Sequence, residues 1–344
     1  MKISFKQIEL KLTTPFRISR NVQLTSPNIF VQISHIGHIG YGEAAPDEYY
    51  GENPATVAVC LEKFAPLLGD DPFALEEIRA RLDEVIALHP SAKAAVDMAL
   101  YDLIGKITGM PLYKLLGLSA SLAPQTSFTL GIDSPEEMAQ KATLAREYPI
   151  FKIKVGTDHD YENLKAIREV SQATLRLDAN TAWTPKEAIR KIRQLESFGI
   201  EFVEQPVPAQ DLAGLKLIRQ NVDVPIFADE SCVTVKDIPL IADCVDGINI
   251  KLMKCGGLGK ALEMIHVARA YNLQIMLGCM IESSLAITAA AQLSPLVDYA
   301  DLDGHLLISN DPCRGAGVKD GKLILPEGPG LGVEMLEAIE SRGE

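Results

Sequence analysis

The sequence predicts a parallel (β/α) barrel, an α/β fold, preceded by a smaller α+β capping domain. Three observations lead to this fold class. The first hundred residues place their predicted strands before their helices, the remainder alternates short apolar runs with amphipathic segments, and polar residues end successive runs at a nearly constant spacing. We assign the capping domain to 1–120, the barrel to 121–310, and a C-terminal segment that returns to the cap to 311–344.

The composition is that of a soluble globular protein. Of 344 residues, 47% are hydrophobic and 23% charged, which is enough apolar surface for the cores of two domains. The formal net charge of −13 repels nucleic-acid phosphates and anionic membranes. The amino terminus lacks the apolar stretch of a signal peptide, and the six cysteines contain no CxxC pair. We therefore expect a cytoplasmic protein with no nucleic-acid or membrane partner.

The predicted capping domain begins with strands. Residues 1–11 alternate polar and apolar side chains, as a strand with one buried face does. Two further strand-like runs follow at 29–36 and 39–42. The Gly37-His38 pair between these runs favours a hairpin turn.

Three helical patterns complete the predicted cap. Asn53 supplies an N-cap and Pro54 a first-turn proline for the first helix. The second pattern lies within 72–88, and the third opens at Ser91 and ends near Gly109. Strands followed by helices are typical of an α+β arrangement.

The barrel is predicted from a repeated strand-and-helix unit. Eight apolar runs follow one another, TSFTLGI, FKIKVG, LRLDAN, EFVEQP, PIFADE, GINIKL, QIMLGC and DYADLD. The polar residues that end five of them lie 24, 26, 25 and 22 positions apart: Lys154, Asp178, Glu204, Asp229 and Lys251. Eight such units favour a closed barrel with catalytic groups at the carboxyl ends of its strands. An open doubly wound sheet is the alternative, disfavoured because no glycine-rich loop follows the first strand.

Three carboxylates at the ends of adjacent predicted strands indicate a metal site. Strand alternation turns Asp178, Glu204 and Asp229 into the barrel mouth, where unpaired charge is costly. A site of oxygen ligands alone suits Mg²⁺ or Mn²⁺, and zinc is disfavoured because these strand ends carry no His or Cys. Asn180 shares the face of Asp178, so we expect it to support the carboxylates from behind.

Three lysines flank these carboxylates in the sequence. Lys152 and Lys154 lie on the second predicted strand and Lys251 on the sixth, which stand on opposite walls of an eight-stranded barrel. A ligand between them meets one ammonium from each side, so that one lysine removes a proton and the other returns it to the opposite face. This is the geometry of a racemase or epimerase. The alternative is a purely structural network of ion pairs between these lysines and the carboxylates.

The motifs FKIKVG, RLDAN, EQP, ADES and NIKLMKCGG, in this order, resemble the enolase superfamily and specifically its muconate-lactonizing subgroup. The resemblance covers essentially the whole chain. It implies one Mg²⁺ per active site, or Mn²⁺ in its place, bound by the three carboxylates. It also implies that Lys154 and Lys251 are the acid and base, that Lys152 assists, and that the reaction abstracts a proton next to a carboxylate.

The eighth run selects among the reactions of this subgroup. Asp301 and Asp303 are two positions apart, with no basic residue within ten positions on either side. This pair resembles the motif with which dipeptide epimerases hold the ammonium group of their substrate. We therefore expect a dipeptide epimerase that inverts the C-terminal residue. The alternatives are a muconate cycloisomerase or o-succinylbenzoate synthase with the same site, a catalytically silent barrel that binds peptides, or aspartates that are merely solvated and capping.

Further substrate contacts are expected from two segments. Cys279, Met280 and Ser283 lie in MLGCMIESS, which resembles the family segment that contacts the peptide backbone. Arg20, or its neighbour Arg17, lies in a cap segment that resembles the loop closing over the substrate. An arginine there suits a C-terminal glutamate, whereas the neighbouring NVQLTSPNIF equally suits a small or apolar residue. The resemblance also implies a homo-oligomer.

Overall fold

The computed structural model describes residues 1–336, 338 and 339, and it begins with an antiparallel sheet. Its strands are β1 (Lys2–Arg17), β2 (Val22–His35) and β3 (His38–Ala44), in that order. The predicted strand at 1–11 is therefore too short, because β1 pairs with β2 almost to the hairpin tip after a register shift between Lys11 and Phe16. The predicted hairpin is present, but its turn residues are Ile36 and Gly37 instead of Gly37 and His38, because His38 already pairs with His35.

Four helices follow this sheet in the chain. They are α1 (Pro54–Phe64), α2 (Leu75–Val85), α3 (Pro90–Thr108) and the single turn α4 (Leu112–Leu115). The predicted start of α1 is confirmed, since Asn53 and Thr56 exchange side-chain hydrogen bonds with each other's backbone in a capping box. The predicted end of α3 is also confirmed, with Gly109 in the left-handed conformation that closes a helix.

The sheet packs on α3 through two glycines of β3. A Cβ atom added to Gly40 would lie 2.0 Å from the carbonyl oxygen of Ala99, and one added to Gly42 would lie 2.0 Å from that of Ala95. The absence of both side chains lets the sheet and the helix approach closely. The cap thus has its own core, centred on Val31, Phe64 and neighbouring side chains.

The second part is the predicted parallel barrel. Its eight strands are β4 (Phe128–Leu130), β5 (Ile150–Lys154), β6 (Thr174–Asp178), β7 (Ile200–Glu204), β8 (Ile226–Ala228), β9 (Gly247–Lys251), β10 (Gln274–Gly278) and β11 (Tyr299–Asp301), paired in sequence order. Thr126, just before β4, forms a parallel bridge with Ala300 of β11. This bridge joins the first strand to the last, so the barrel is nearly closed and the open-sheet alternative is wrong.

Helices surround the barrel and connect its strands. They are α5 (Pro135–Leu144), α6 (Asp160–Val170), α7 (Pro185–Leu195), α8 (Leu212–Arg219), α9 (Ile238–Ile241), α10 (Leu252–Cys255), α11 (Leu258–Ala270) and α12 (Ser284–Ala291). Their apolar faces cover the outward side chains of the strands. In α7, for example, Ala188, Ile192 and Leu195 are buried at helical spacing, opposite a charged outer face.

The amino-terminal end of the barrel is filled by side chains. Phe202 and Phe227 stack with ring centroids 4.3 Å apart, and Tyr299 meets both edge-on. The Arg176 guanidinium lies 5.3 Å from the centre of the Phe202 ring. Each of these four residues lies two positions before a polar residue at the carboxyl end of its strand. Because side chains two positions apart share one face of a strand, those polar residues also point into the barrel, at its carboxyl-terminal mouth.

The end of the chain forms two small antiparallel pairs, β12 (Cys313–Arg314) with β15 (Glu334–Met335) and β13 (Gly317–Lys319) with β14 (Lys322–Ile324). This segment touches the cap, where the Leu331 amide donates to Asp102 of α3 at 2.8 Å. The domain boundaries at residues 120 and 310 stay predictions, and residues 337 and 340–344 lie outside the described part. Among the described residues, no helix is long and apolar enough to cross a membrane.

We predict that Gly42→Ala destabilises the protein by about 1–3 kcal/mol, because the added methyl group overlaps the α3 backbone. Urea unfolding followed by circular dichroism measures the change. The matched control is Gly317→Ala, since a Cβ atom there meets nothing within 4 Å. An equal loss in both variants would contradict close packing as the reason for glycine at position 42.

Candidate active site

The carboxyl ends of the barrel strands converge on one mouth. The parallel register pairs Lys154 with Asp178 and Asp178 with Glu204, so three neighbouring strands end at one level. On the far wall, Gly278 pairs with both Lys251 and Asp301. The residues predicted at strand ends therefore meet in space.

Asp178, Glu204 and Asp229 form a buried acidic cluster. Each is at most 1% exposed, and one carboxylate oxygen from each lies within 4.8 Å of the others. Burial and repulsion by Asp178 raise the pKa of Glu204 to about 8. Burial also opposes ionisation of Asp178, but Lys152 and Lys154 outweigh it and lower the pKa of that carboxyl.

These three residues fit a hard divalent cation. Their donor set consists of carboxylate oxygens alone, which suits Mg²⁺ or Mn²⁺. The outer oxygen of Glu204, Oε2, is buried and accepts no hydrogen bond, although it lies 2.7 Å from the Lys152 ammonium. Because this oxygen accepts no hydrogen bond, it can bind a cation.

The predicted lysines reach the same cluster from opposite walls. The Lys154 Nζ lies 2.7 Å from an oxygen of Asp178, and the Lys251 Nζ lies 2.8 Å from one of Asp229. Lys154 belongs to the second barrel strand and Lys251 to the sixth, four strands away. Burial lowers the pKa of Lys251, but the attraction of Asp229 prevails and raises it. The site thus places one amino group on each side of the space above the carboxylates.

Lys152 lies beneath this space. Its Nζ is within 3.0 Å of Asp178, 2.7 Å of Glu204 and 2.7 Å of Asp301. Burial lowers the pKa of Lys152, but the surrounding carboxylates outweigh it and raise the pKa well above its ordinary value. The side chain is therefore a fixed positive charge between the acidic cluster and the eighth strand.

The aspartate pair is buried, so the alternative of a solvated aspartate is wrong. Asp301 is 4% exposed and Asp303 is 2% exposed. Although no basic residue lies near Asp301 in the sequence, the fold brings Lys152 into contact with it. Asp301 accepts hydrogen bonds from Lys152 and, at 2.6 Å, from the Ser127 hydroxyl. Asp303 accepts from the Thr129 amide at 2.6 Å, and burial together with Asp301 raises the pKa of Asp303 to about 7.

The remaining predicted contacts are only partly brought together. Cys279 and Met280 line the cleft beside the lysines, and the Cys279 Sγ lies 3.3 Å from the carbonyl oxygen of Asp301. Ser283 is fully buried behind this wall and bonds the cap residue Glu43, so the structure does not bring it to the cleft.

Arg20 lines the cleft from the β1–β2 hairpin. One of its terminal nitrogens donates to Glu230 at 2.8 Å and to the carbonyl oxygen of Asn180 at 3.2 Å. Its guanidinium also lies 4.4 Å from the centre of the Tyr49 ring. Arg17 ends β1 opposite Val22 and is not among the described residues that line the cleft.

Sequence reasoning missed the residues that hold the acidic cluster in place. Lys254 is fully buried on α10 and donates to the Asp229 carboxylate and to three backbone carbonyls around it. Gln205 accepts from the amides of Asp229 and Ser231, both at 3.0 Å. The signals were present, since Gln205 follows Glu204 directly and Lys254 lies one helical turn after Lys251. Their targets are distant in sequence.

Asn180 contacts the carboxylates and also lines the cleft. Its amide nitrogen donates to Asp178 at 3.0 Å, and its side chain donates to Glu230 at 3.4 Å. The backbone of Asn180 is left-handed, with φ of 43°. A strained residue of this kind at a strand end is typical of a functional site.

Two family models match the chain. The mandelate racemase/muconate lactonizing enzyme N-terminal domain matches residues 2–117, and the enolase C-terminal domain-like model matches residues 136–339. Among curated relatives, L-Ala-D/L-Glu epimerase of Bacteroides thetaiotaomicron is 42% identical over 97% of this chain and 88% of its own. Hydrophobic dipeptide epimerase of Enterococcus faecalis is 40% identical over 96% of this chain and 98% of its own.

Solved structures agree in fold. Dipeptide epimerase from Enterococcus faecalis, complexed with Mg and L-Leu-L-Tyr, superimposes with a TM-score of 0.92 at 39% identity and covers 96% of this chain and 98% of its own. The substrate-liganded L-Ala-D/L-Glu epimerase from Bacillus subtilis gives a TM-score of 0.92 at 36% identity, over 97% of this chain and 99% of its own. The likeness spans cap and barrel together.

We predict that Glu204→Gln weakens Mg²⁺ binding by at least about 10-fold, because it removes one anionic ligand. Isothermal titration calorimetry with MgCl₂ measures this without any substrate. Glu201→Gln is the matched control, since Glu201 lies on the same strand but binds Arg176 instead. Equal Mg²⁺ affinity in the two variants would rule out Glu204 as a ligand.

Proposed function

The chain belongs to the mandelate racemase/muconate lactonizing enzyme family of the enolase superfamily, and we propose that it is a dipeptide epimerase. It inverts the α-carbon of the C-terminal residue of a dipeptide by moving a proton from one face to the other. The observation that carries this proposal is the pair of lysines on opposite walls, above three buried carboxylates and beside a buried aspartate pair.

The α-proton next to a carboxylate is removed only if the new negative charge is stabilised. When bound by Asp178, Glu204 and Asp229, Mg²⁺ supplies positive charge to the substrate oxygens and competes with the lysines for these carboxylates. Lys152 adds an ammonium below the same oxygens. Lys154 takes the proton from one stereoisomer while Lys251 protonates the other face, and their roles reverse for the other stereoisomer.

The aspartate pair selects a dipeptide over a simple acid. Asp301 and Asp303 place two carboxyl groups at one side of the cleft, and only Asp301 is neutralised by Lys152. A substrate ammonium group complements the remaining acidity, whereas the carboxylate of a muconate is repelled. The cycloisomerase or o-succinylbenzoate synthase alternative gains no specific support from this geometry.

The C-terminal side chain of the substrate is proposed to meet Arg20, with Cys279 and Met280 along the wall. Of the Arg20 nitrogens, Nη1 makes the hydrogen bonds to Glu230 and Asn180. A bidentate carboxylate contact at the other edge of the guanidinium suits a C-terminal glutamate. Curated relatives include both L-Ala-D/L-Glu and hydrophobic dipeptide epimerases, and Arg20 is the residue proposed to favour the first substrate class in this chain.

Two wider expectations stay predictions. The chain is proposed to act as a homo-oligomer, which sedimentation velocity would establish. A cytoplasmic location is proposed from the composition and net charge, and fractionation of cells would establish it.

We predict that Lys154→Arg and Lys251→Arg each abolish epimerisation, because arginine keeps the charge but its pKa above ~12 prevents it from acting as a base. Each variant retains α-hydrogen exchange on one stereoisomer, and the two variants retain it on opposite stereoisomers. Proton NMR of L,L- and L,D-dipeptides in deuterium oxide with Mg²⁺ measures both properties. Calorimetry should give unchanged Mg²⁺ binding, since the carboxylates are untouched.

Exchange that survives on the same stereoisomer in both variants would contradict the two-base assignment. Wild-type protein that exchanges no α-hydrogen across a varied dipeptide library would overturn the proposed function itself. Turnover of muconate or o-succinylbenzoate precursors that is indifferent to Asp301→Asn would favour the alternative.

We predict that Arg20→Met lowers kcat/KM for L-Ala-L-Glu by at least about 10-fold, the loss expected for one charge-assisted hydrogen bond. The value for L-Ala-L-Leu should change much less. Arg17→Met is the control, since Arg17 lies at the end of β1 outside the cleft lining. If both dipeptides lose equally, Arg20 orders Glu230 and does not select the substrate.

A further inference from the structure

One of the buried carboxylates of the cap lies outside the acidic cluster and binds the barrel. Glu43 is on β3 and is 0% exposed. Burial raises the pKa of Glu43, while hydrogen bonds from Ser283, Asn28 and Ala286 lower it and leave a smaller increase. Burying a carboxylate costs free energy unless both of its oxygens accept hydrogen bonds. The donors to Glu43 therefore identify what holds it in place.

Most of these partners belong to the barrel. The Ser283 amide donates to Glu43 Oε1 at 3.0 Å, while the Ser283 hydroxyl and the Ala286 amide both donate to Oε2. Ser283 is the N-cap of α12, and Ala286 lies in its first turn. The carboxylate therefore binds the start of this helix, where free amides and the helix dipole favour negative charge.

Asn28 of β2 extends the contact. Its side-chain nitrogen donates to Glu43 at 2.7 Å and to the carbonyl oxygen of Ile281 at 2.9 Å. Asn28 is itself fully buried, and its oxygen accepts from Ser26. Asn28 therefore binds the carbonyl group that precedes Glu282, and Glu43 binds the amide group that follows it.

The segment held in this way, 279–282, forms one wall of the cleft. Cys279, Met280 and Ile281 line the cleft together with the lysines and the aspartate pair. The same segment packs against the chain next to Asp303, where a Cβ atom added to Gly304 would lie 2.7 Å from the Met280 carbonyl oxygen. This wall and the chain that carries the aspartate pair are therefore in close contact at Met280 and Gly304.

We infer that Glu43 is a positioning residue for dipeptide binding, acting from the capping domain through segment 279–282. The inference rests on the proposed function. Glu43 does not touch the cleft, so its loss affects the placement of the wall and not the proton transfer. The consequence is a weaker hold on the substrate with the lysines and the metal site unaltered.

The test is Glu43→Gln, which keeps the shape but replaces one acceptor oxygen with an NH₂ group. In either orientation that group faces donors, because both carboxylate oxygens accept two hydrogen bonds. We expect KM for the wild-type enzyme's best dipeptide to rise at least about 10-fold while kcat changes by less than about 3-fold. Hydrogen–deuterium exchange should be faster in peptides covering 279–290, and Mg²⁺ affinity by calorimetry should be unchanged.

Asp102→Asn is the matched control for a purely structural effect. Asp102 is also a buried cap carboxylate, and it accepts from the amides of Tyr41 and Leu331, away from the cleft. We expect this variant to lose thermal stability with KM and the exchange of peptides covering 279–290 as in wild type. A rise in KM that is equal in the two variants would overturn the inference.

The outcomes separate this inference from the proposed function. If wild type turns over no dipeptide, the proposed function fails, and unchanged exchange at 279–290 in Glu43→Gln overturns the anchoring independently. If wild type is active and Glu43→Gln keeps its KM, only the inference fails. Should Glu43→Gln not fold, Asn28→Ala replaces it, with the same expected increase in KM and in exchange.

Discussion

The structure depends on one buried ammonium group. Lys152 lies within 3.0 Å of carboxylates from three other strands, Asp178, Glu204 and Asp301. Four strand ends that would otherwise repel or remain unpaired can meet in the barrel mouth because this charge lies between them. The acidic cluster and the aspartate pair thus share one counter-ion, which ties together the two sides of the cleft on which they lie.

The capping domain completes the cleft in two ways. The β1–β2 hairpin brings Arg20 over the barrel mouth, where Glu230 holds it. Behind the cleft, Glu43 and Asn28 bind the backbone around α12. The barrel strands therefore supply the acidic cluster and the lysines, while residues of the cap bound the cleft above them.

Much of this arrangement follows from local sequence signals. The spacing from Lys154 to Lys251 predicts the barrel, and strand alternation predicts which charges share its mouth. What escaped prediction is contact across long sequence separations. Lys152 and Asp301 are 149 positions apart in the sequence, and Arg20 and Glu230 are 210 apart. The periodicity of the sequence gives no information about contacts between residues so far apart. The length of the β1–β2 hairpin likewise depends on pairing that local residues do not determine.

The closure of the barrel sets an order of events for a growing chain. Its first strand meets its last where Thr126 and Ser127 pair with Ala300, and the Ser127 hydroxyl and the Thr129 amide cross that junction to Asp301 and Asp303. During synthesis from the amino terminus, the strand that begins the barrel must wait for about 170 further residues before its partner leaves the ribosome. The acidic cluster and the lysines proposed as acid and base are therefore synthesised before the aspartate pair, so the part of the mouth proposed to hold the substrate ammonium group is the last of these to be made.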